Sequence, residues 1–113
     1  MNIDSYDFGR LVVEGREYRN DVILLPGRVI DPWWRKEGHR LQEEDLASVM
    51  MVPLRLLVIG TGMDGKMQVP EEAVSFLRDA GVEPMVLKSR EACRVFNEES
   101  KQGGVAGAFH LTC

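Results

Sequence analysis

The 113-residue sequence lacks several features that mark secreted, membrane-spanning and nucleic-acid-binding proteins. Basic residues are in deficit, with 14 Lys and Arg against 18 Asp and Glu, so the net charge of −4 opposes attraction to a phosphate backbone. No apolar run approaches the length of about 18 residues expected of a membrane-spanning helix. The first ten residues, MNIDSYDFGR, are polar and acidic, which predicts no secretion signal. We therefore expect a cytoplasmic protein that binds neither nucleic acid nor membrane.

Cysteine and recognisable catalytic patterns are also scarce. Cys93 and Cys113 are not spaced as a C-x-x-C pair, and reduced thiols are expected in a cytosolic protein. A position early in a helix could lower the pKa of Cys93, but its place beside an inward-facing alanine favours simple packing. No G-x-S-x-G motif is present. The sequence therefore predicts no catalytic residue set.

What is present is typical of a globular protein, with 44% hydrophobic and 28% charged residues. The length predicts one domain over residues 1–113. In the first third, residues 11–13 and 22–25 predict two strands of a hairpin that turns at Gly15, and Pro26-Gly27 predicts a second turn. Residues 43–51 predict a helix with Leu46, Val49 and Met50 on one face.

From residue 54 onward the sequence alternates between strand and helix patterns. Residues 54–60, 82–88 and 105–111 predict strands, and residues 70–81 and 90–102 predict the helices between them. The apolar run LLVIG is typical of a strand buried on both faces. The sequence therefore predicts an α/β fold with a βαβαβ C-terminal half, a central mixed sheet and helices on at least one face.

The segment VIGTGMDG places Gly60, Gly62 and Gly65 at the G-x-G-x-x-G spacing of dinucleotide-binding proteins. In that fold the glycines lead directly into a helix whose N-terminus faces the pyrophosphate. Here the residues KMQVP intervene, Pro70 removes an N–H donor, and two glutamates follow it in the first turn. Negative charge there repels phosphate. We interpret the glycines as a turn rather than as a nucleotide site.

A small anionic ligand has a better candidate pocket between two strand ends. Gly60, Thr61 and Gly62 follow one predicted strand, and Lys88, Ser89 and Arg90 follow the next. In open α/β sheets, ligands collect at the carboxyl ends of parallel strands, and a helix N-terminus suits an anion. The alternative is that Ser89 only caps the helix and the two basic side chains are solvated.

Neither histidine predicts a metal site. His39 lies in the segment WWRKEGHRL, whereas His110 lies in the last predicted strand on the same side as Ala108. No other ligand stands at metal-like spacing from either. We expect both to have structural roles.

Trp33 and Trp34, beside Arg35 and His39, form the candidate interaction surface, because Trp and Arg are common anchors of protein contacts. The alternative is that the tryptophans cover one end of the core. The last strand raises a separate possibility, since VAGAFHL would invite pairing with another chain if it lay at a sheet edge.

Several segments in order resemble the small Mth-domain family. They are DVILLPGRV, WWRKEGHRL, LLVIGTG, VPEEAVSFLRDAGVEPMVLKSREACRVFNEES and GGVAGAFHLTC, and together they cover nearly the whole chain. The resemblance implies a compact three-layer α/β domain, with the N-terminal β-hairpin as one layer. It implies no catalytic residues. Relatives in that family include an adipogenesis-associated protein and a mitochondrial assembly factor for respiratory complex I, which suggests protein–protein contact.

Together these observations predict a non-catalytic, cytoplasmic interaction or assembly module, without cofactor or metal. Its partner would be another protein or a second copy of the chain in a homodimer. The alternative function is an enzyme or sensor that binds a small anionic ligand at the strand ends.

Overall fold

The computed structural model describes residues 1–113 and contains two β-sheets and two α-helices. An antiparallel sheet of three strands occupies the N-terminal end. Its strands are β1 (Ile3–Asp7), β2 (Arg10–Val13) and β3 (Arg16–Tyr18). The second sheet has five strands: β4 (Val22–Leu25), β5 (Arg28–Ile30), β6 (Leu56–Thr61), β7 (Glu83–Leu87) and β8 (Val105–His110). The helices are α1 (Glu71–Asp79) and α2 (Ser89–Glu99).

The five-stranded sheet is mixed, with the order β5-β4-β8-β6-β7. Strands β7 and β8 both lie parallel to β6, whereas β4 lies antiparallel to β8. Strand β8 is therefore central and buried, and its apolar sequence serves the core rather than a sheet edge. The βαβαβ prediction for the C-terminal half is confirmed.

Each face of the mixed sheet carries its own core, because alternate residues of a strand point to opposite faces. Val58 faces the three-stranded sheet and α2, where Tyr6 and Phe96 are buried. Ile59 faces the opposite layer, which contains α1 and the buried side chain of Trp33. The predicted three-layer α/β architecture is confirmed, with helices on both faces of the central sheet.

The N-terminal layer differs from the predicted hairpin. Strand β1 was not predicted, and it pairs with β2 to make a third strand. The return strand of the hairpin is only β3, and Val22–Leu25 leaves this layer to join β8 in the mixed sheet. Full burial of all four β4 residues explains this, since a central strand covers both of its faces.

The predicted helix at residues 43–51 is also wrong in type. The structure has two short 3₁₀ segments, Glu43–Leu46 and Val49–Met51, in its place. A stretch this short gains little from helix propagation, so tertiary contacts decide its conformation. Leu46 and Val49 are nevertheless buried, as the spacing predicted. No helix in the structure combines the length and the apolarity needed to cross a lipid bilayer.

Candidate functional site

The glycine segment at the end of β6 is packed tightly against the protein itself. A Cβ atom on Gly60 would lie 2.7 Å from Ser89 Oγ and 2.9 Å from Phe109 Cδ1. Gly60 is thus part of β6 and permits α2 to approach the strand, rather than bending the chain as the sequence suggested. Gly62 and Gly65 have positive φ angles of 104° and 73°, so they form the turn that was expected.

The main-chain N–H groups of this turn all donate to protein oxygens. The amide of Gly62 donates to Ser89 Oγ, and that of Met63 donates to the Thr112 carbonyl oxygen at 2.7 Å. Asp64 and Lys66 both donate to the main-chain oxygen of Cys113. The Gly65 amide donates to the Gly62 carbonyl oxygen, and the amide of residue 67 donates to that of Thr61 at the end of β6. A phosphate here would have to displace the main-chain oxygens of Thr112 and Cys113.

The structure brings the six residues of the candidate ligand pocket together, but most of them already have partners. Ser89 is fully buried and does not cap α2, since its Oγ donates to the His110 carbonyl oxygen and accepts from Gly62. Thr61 Oγ1 donates to the carbonyl oxygen of Leu87. Lys88 and Arg90 are exposed, and Arg90 lies over the Tyr6 ring. Binding of an anion at this place stays a prediction.

The two adjacent tryptophans have opposite environments. The Trp33 side chain is buried, and its Nε1 donates to the Asp45 carbonyl oxygen at 2.9 Å. Trp34 is 82% exposed. Trp33 therefore covers the core, as the alternative predicted, whereas a contact role for the exposed Trp34 stays a prediction. Trp33 fixes the segment to the core, and Trp34 presents its indole to solvent.

A largely buried polar cluster joins this segment to the end of β8 and consists of Asp21, Arg35 and His110, with the Asp21 side chain 18% exposed. Asp21 Oδ2 lies 2.7 Å from Arg35 Nη2 and 2.8 Å from His110 Nδ1. The other carboxylate oxygen accepts the amide of Leu111 at 2.8 Å. The side chains of Arg35 and His110 are only 5% and 6% exposed. Arg35 also stacks on the Trp33 ring, with its guanidinium carbon 4.6 Å from the ring centre.

The charges in this cluster compensate one another. Burial alone would raise the pKa of Asp21, but hydrogen bonds from His110, from the Leu111 amide and from Arg35 hold that pKa below its ordinary value. Asp21 therefore stays ionised and offsets the Arg35 cation. Three buried nitrogens have no hydrogen-bond partner in the protein: Arg35 Nε, Arg35 Nη1 and His110 Nε2.

His39 lies beside this cluster although it is far from His110 in the sequence. The two imidazole rings are edge to face, with their centres 5.4 Å apart. The predicted interaction segment and the end of β8 therefore meet at one place. Sequence reasoning missed Asp21, because only the antiparallel pairing of β4 with β8 brings it beside His110.

The two cysteines should differ in reactivity. Burial raises the pKa of the Cys93 thiol to about 12, whereas Cys113 is partly exposed. We expect one equivalent of Ellman's reagent to react at pH 8 in the native protein and two in denaturant. Cys113→Ser should abolish the native reaction. A native reaction that survives this substitution would show that the Cys93 side of α2 opens readily.

Comparison with known proteins places this fold among a defined set of relatives. NADH dehydrogenase (ubiquinone) 1 alpha subcomplex assembly factor 3 of Homo sapiens is 29% identical over 111 residues. That match covers 96% of this chain but 59% of the human protein, so the chain spans little more than half of its relative's length.

Solved structures agree with the sequence comparison. The protein named MT938 superposes with a TM-score of 0.82 at 29% identity, over 99% of this chain and 98% of that one. A conserved hypothetical protein from Pyrococcus horikoshii has a TM-score of 0.85 at 23% identity, over the full length of both chains. Residues 3–110 match the family described as protein of unknown function (DUF498/DUF598). The resemblance to the Mth-domain proteins is thus confirmed, and the chain belongs to the DUF498/DUF598 family.

Proposed function

We propose that the protein is a non-catalytic assembly module that contacts a partner protein through Trp34. The observation that carries this proposal is the 82% exposure of Trp34 on a segment whose flanking side chains, Trp33 and Arg35, are fixed in the core. Burial of an exposed indole against a partner lowers the free energy of the complex. Tryptophan is also enriched among the residues that dominate interface energies.

The segment is held in place by contacts that are independent of the Trp34 side chain. The Trp33 amide donates to the Asp21 carbonyl oxygen at 2.7 Å, and Lys36 donates its amide to Asp45 Oδ1 at 3.1 Å. Arg35 Nη2 also donates to the Gly38 carbonyl oxygen. Because the backbone is already ordered, binding of a partner to Trp34 costs less conformational entropy than binding to a mobile loop would.

The human relative supports the same function, since its name is that of an assembly factor. Assembly implies a protein partner, which for this chain is either a different protein or a second copy. The expected cytoplasmic location stays a prediction.

Photocrosslinking from position 34 tests the proposal. We expect a photoreactive phenylalanine derivative at Trp34, introduced in the organism that expresses the protein, to give a discrete adduct. A band at twice the mass of the chain indicates a homodimer, and any other band indicates a different partner. Excess unlabelled wild-type protein should compete for the adduct, whereas Trp34→Ala should compete at least ~30-fold less well, the loss expected for an anchor worth about 2 kcal/mol.

The matched control is the same photoreactive residue at Arg19, whose side chain is 68% exposed on the loop before β4. It should give no discrete adduct. The proposal fails if both positions give the same adducts, or if Trp34→Ala competes as well as wild type.

A further inference from the structure

We propose that strand β7, at one edge of the mixed sheet, pairs antiparallel with β7 of a second copy of the chain, about a two-fold axis at Val86. The mixed sheets of the two copies then form one continuous sheet. The inference stands on the main-chain groups, the charges and the exposed apolar side chain of β7, and it does not involve Trp34.

Strand β7 is an edge strand whose outer side has no partner strand within the chain. It is last in the strand order and pairs only with β6. The Glu83 amide donates to the Arg55 carbonyl oxygen at 2.9 Å, which shows that the main-chain groups of Glu83 face β6. Because these groups alternate along a strand, those of Pro84 and Val86 face outward. The outer edge is therefore open to another strand.

The outward-facing groups of β7 complement those of a second, antiparallel β7. With Val86 opposite its own copy, the N–H of each Val86 donates to the carbonyl oxygen of the other. Pro84 and Lys88 then lie opposite each other. Pro84 has an acceptor but no N–H donor, and the Lys88 carbonyl oxygen already accepts the Ala92 amide at 2.8 Å. The Lys88 amide therefore donates to Pro84, and every outward donor of the strand has an acceptor.

The charges at the two ends of β7 favour the same antiparallel arrangement. Glu83 begins the strand, and Lys88 and Arg90 follow its end, all with exposed side chains. In the register centred on Val86, Glu83 of one copy lies opposite residue 89 of the other, between these two cations. Glu83 also pairs with Arg78 at 3.0 Å, but its side chain remains 57% exposed and accessible to a second cation. A parallel arrangement would place like charges side by side.

Val86 supplies the apolar centre of the contact. Its side chain belongs to a residue that is 42% exposed in the single chain. Residues that exchange both hydrogen bonds have their Cα atoms about 5.5 Å apart, so the two Val86 side chains touch across the axis. One strand pair covers less surface than a permanent dimer does, so we expect a dissociation constant of about 10–100 μM.

Sedimentation equilibrium between about 10 μM and 1 mM tests the proposal, and wild type should form a dimer within this range. Val86→Lys and Val86→Glu each place like charges opposite each other across the axis, so each variant alone should stay monomeric. An equimolar mixture of the two variants should recover the dimer, because opposite charges then face each other. Position 86 is exposed and its main-chain groups face away from β6, so both variants should fold.

Met51→Lys is the matched control, because it adds the same charge to an exposed apolar residue outside the sheet. It should associate like wild type. Trp34→Ala should also associate like wild type, which separates this inference from the proposed role of Trp34. A dimer that is lost in Trp34→Ala but retained in Val86→Lys would place the contact at Trp34 and overturn the inference.

Amide hydrogen exchange provides a second measurement on the unmodified chain. The N–H groups of Val86 and Lys88 face outward in the monomer, so their exchange should slow about fivefold or more between about 10 μM and 1 mM, while the amides of β8 do not change. The inference is overturned if wild type is monomeric at about 1 mM, if the mixed Val86 variants do not associate, or if the Val86 amide exchanges equally fast at both concentrations.

Discussion

Replacing Asp21 with alanine should lower the free energy of unfolding by about 3–5 kcal/mol, the cost of removing one partner from a buried ion pair. The carboxylate of Asp21 is the counter-charge for Arg35 at 2.7 Å and the acceptor for His110 at 2.8 Å. It also accepts the Leu111 amide. Without it, the cation of Arg35 stays buried and uncompensated. Urea denaturation followed by circular dichroism measures the loss.

The control for this prediction is Asp79→Ala, at an exposed position at the end of α1. It should change the free energy of unfolding by no more than about 0.5 kcal/mol. A loss below about 1 kcal/mol in Asp21→Ala would mean that Arg35 and His110 reach water or each other without the carboxylate. The cluster would then not be the element that holds the Trp34 segment.

Gly60→Ala should cost about 2–3 kcal/mol of stability through overpacking, without any ligand present. The added Cβ would lie 2.7 Å from Ser89 Oγ, 2.9 Å from Phe109 Cδ1 and 3.2 Å from the Cα of Ser89. The last of these atoms belongs to the backbone of α2, so relief requires the helix to move away from β6. Thermal and urea unfolding of the two proteins give the difference.

Gly38→Ala is the matched control, because no atom lies within 4 Å of its added Cβ and no positive φ angle is needed there. It should be nearly neutral. The interpretation of Gly60 as a packing residue is contradicted if Gly60→Ala is as stable as wild type. If Gly60 were instead required for dinucleotide binding, Gly60→Ala would leave the stability unchanged and weaken nucleotide binding.

The alternation of strand and helix in the second half of the chain was predictable because its signals are local. Continuous apolar residues mark β6, and a proline and a glycine bound α1. The repulsion that Glu71 and Glu72 would exert on a phosphate is likewise visible in the sequence. These features depend on neighbours a few residues apart, so a reading of the chain recovers them.

The candidate site was only half predictable, because its contacts join distant parts of the chain. The residue types of Trp34, Arg35 and His39 predicted a contact surface, but the burial of Arg35 in an ion pair was not predicted. Asp21 carried no comparable signal, and its role depends on the order of strands in the mixed sheet. The proximity of His39 to His110 depends on the path of the segment before β6, whose His39 carbonyl oxygen accepts the Gln68 amide. Local patterns do not encode that order.

The central claim of this account is that the buried Asp21–Arg35–His110 cluster fixes the segment that presents Trp34. Amide hydrogen exchange of Trp33 tests it most directly, because this N–H donates to the main-chain oxygen of Asp21 at 2.7 Å. The account predicts that the Trp33 amide exchanges only through global unfolding, as slowly as the amides of β8. Exchange of the Trp33 amide at the rate of an unprotected loop residue in the folded protein would contradict it.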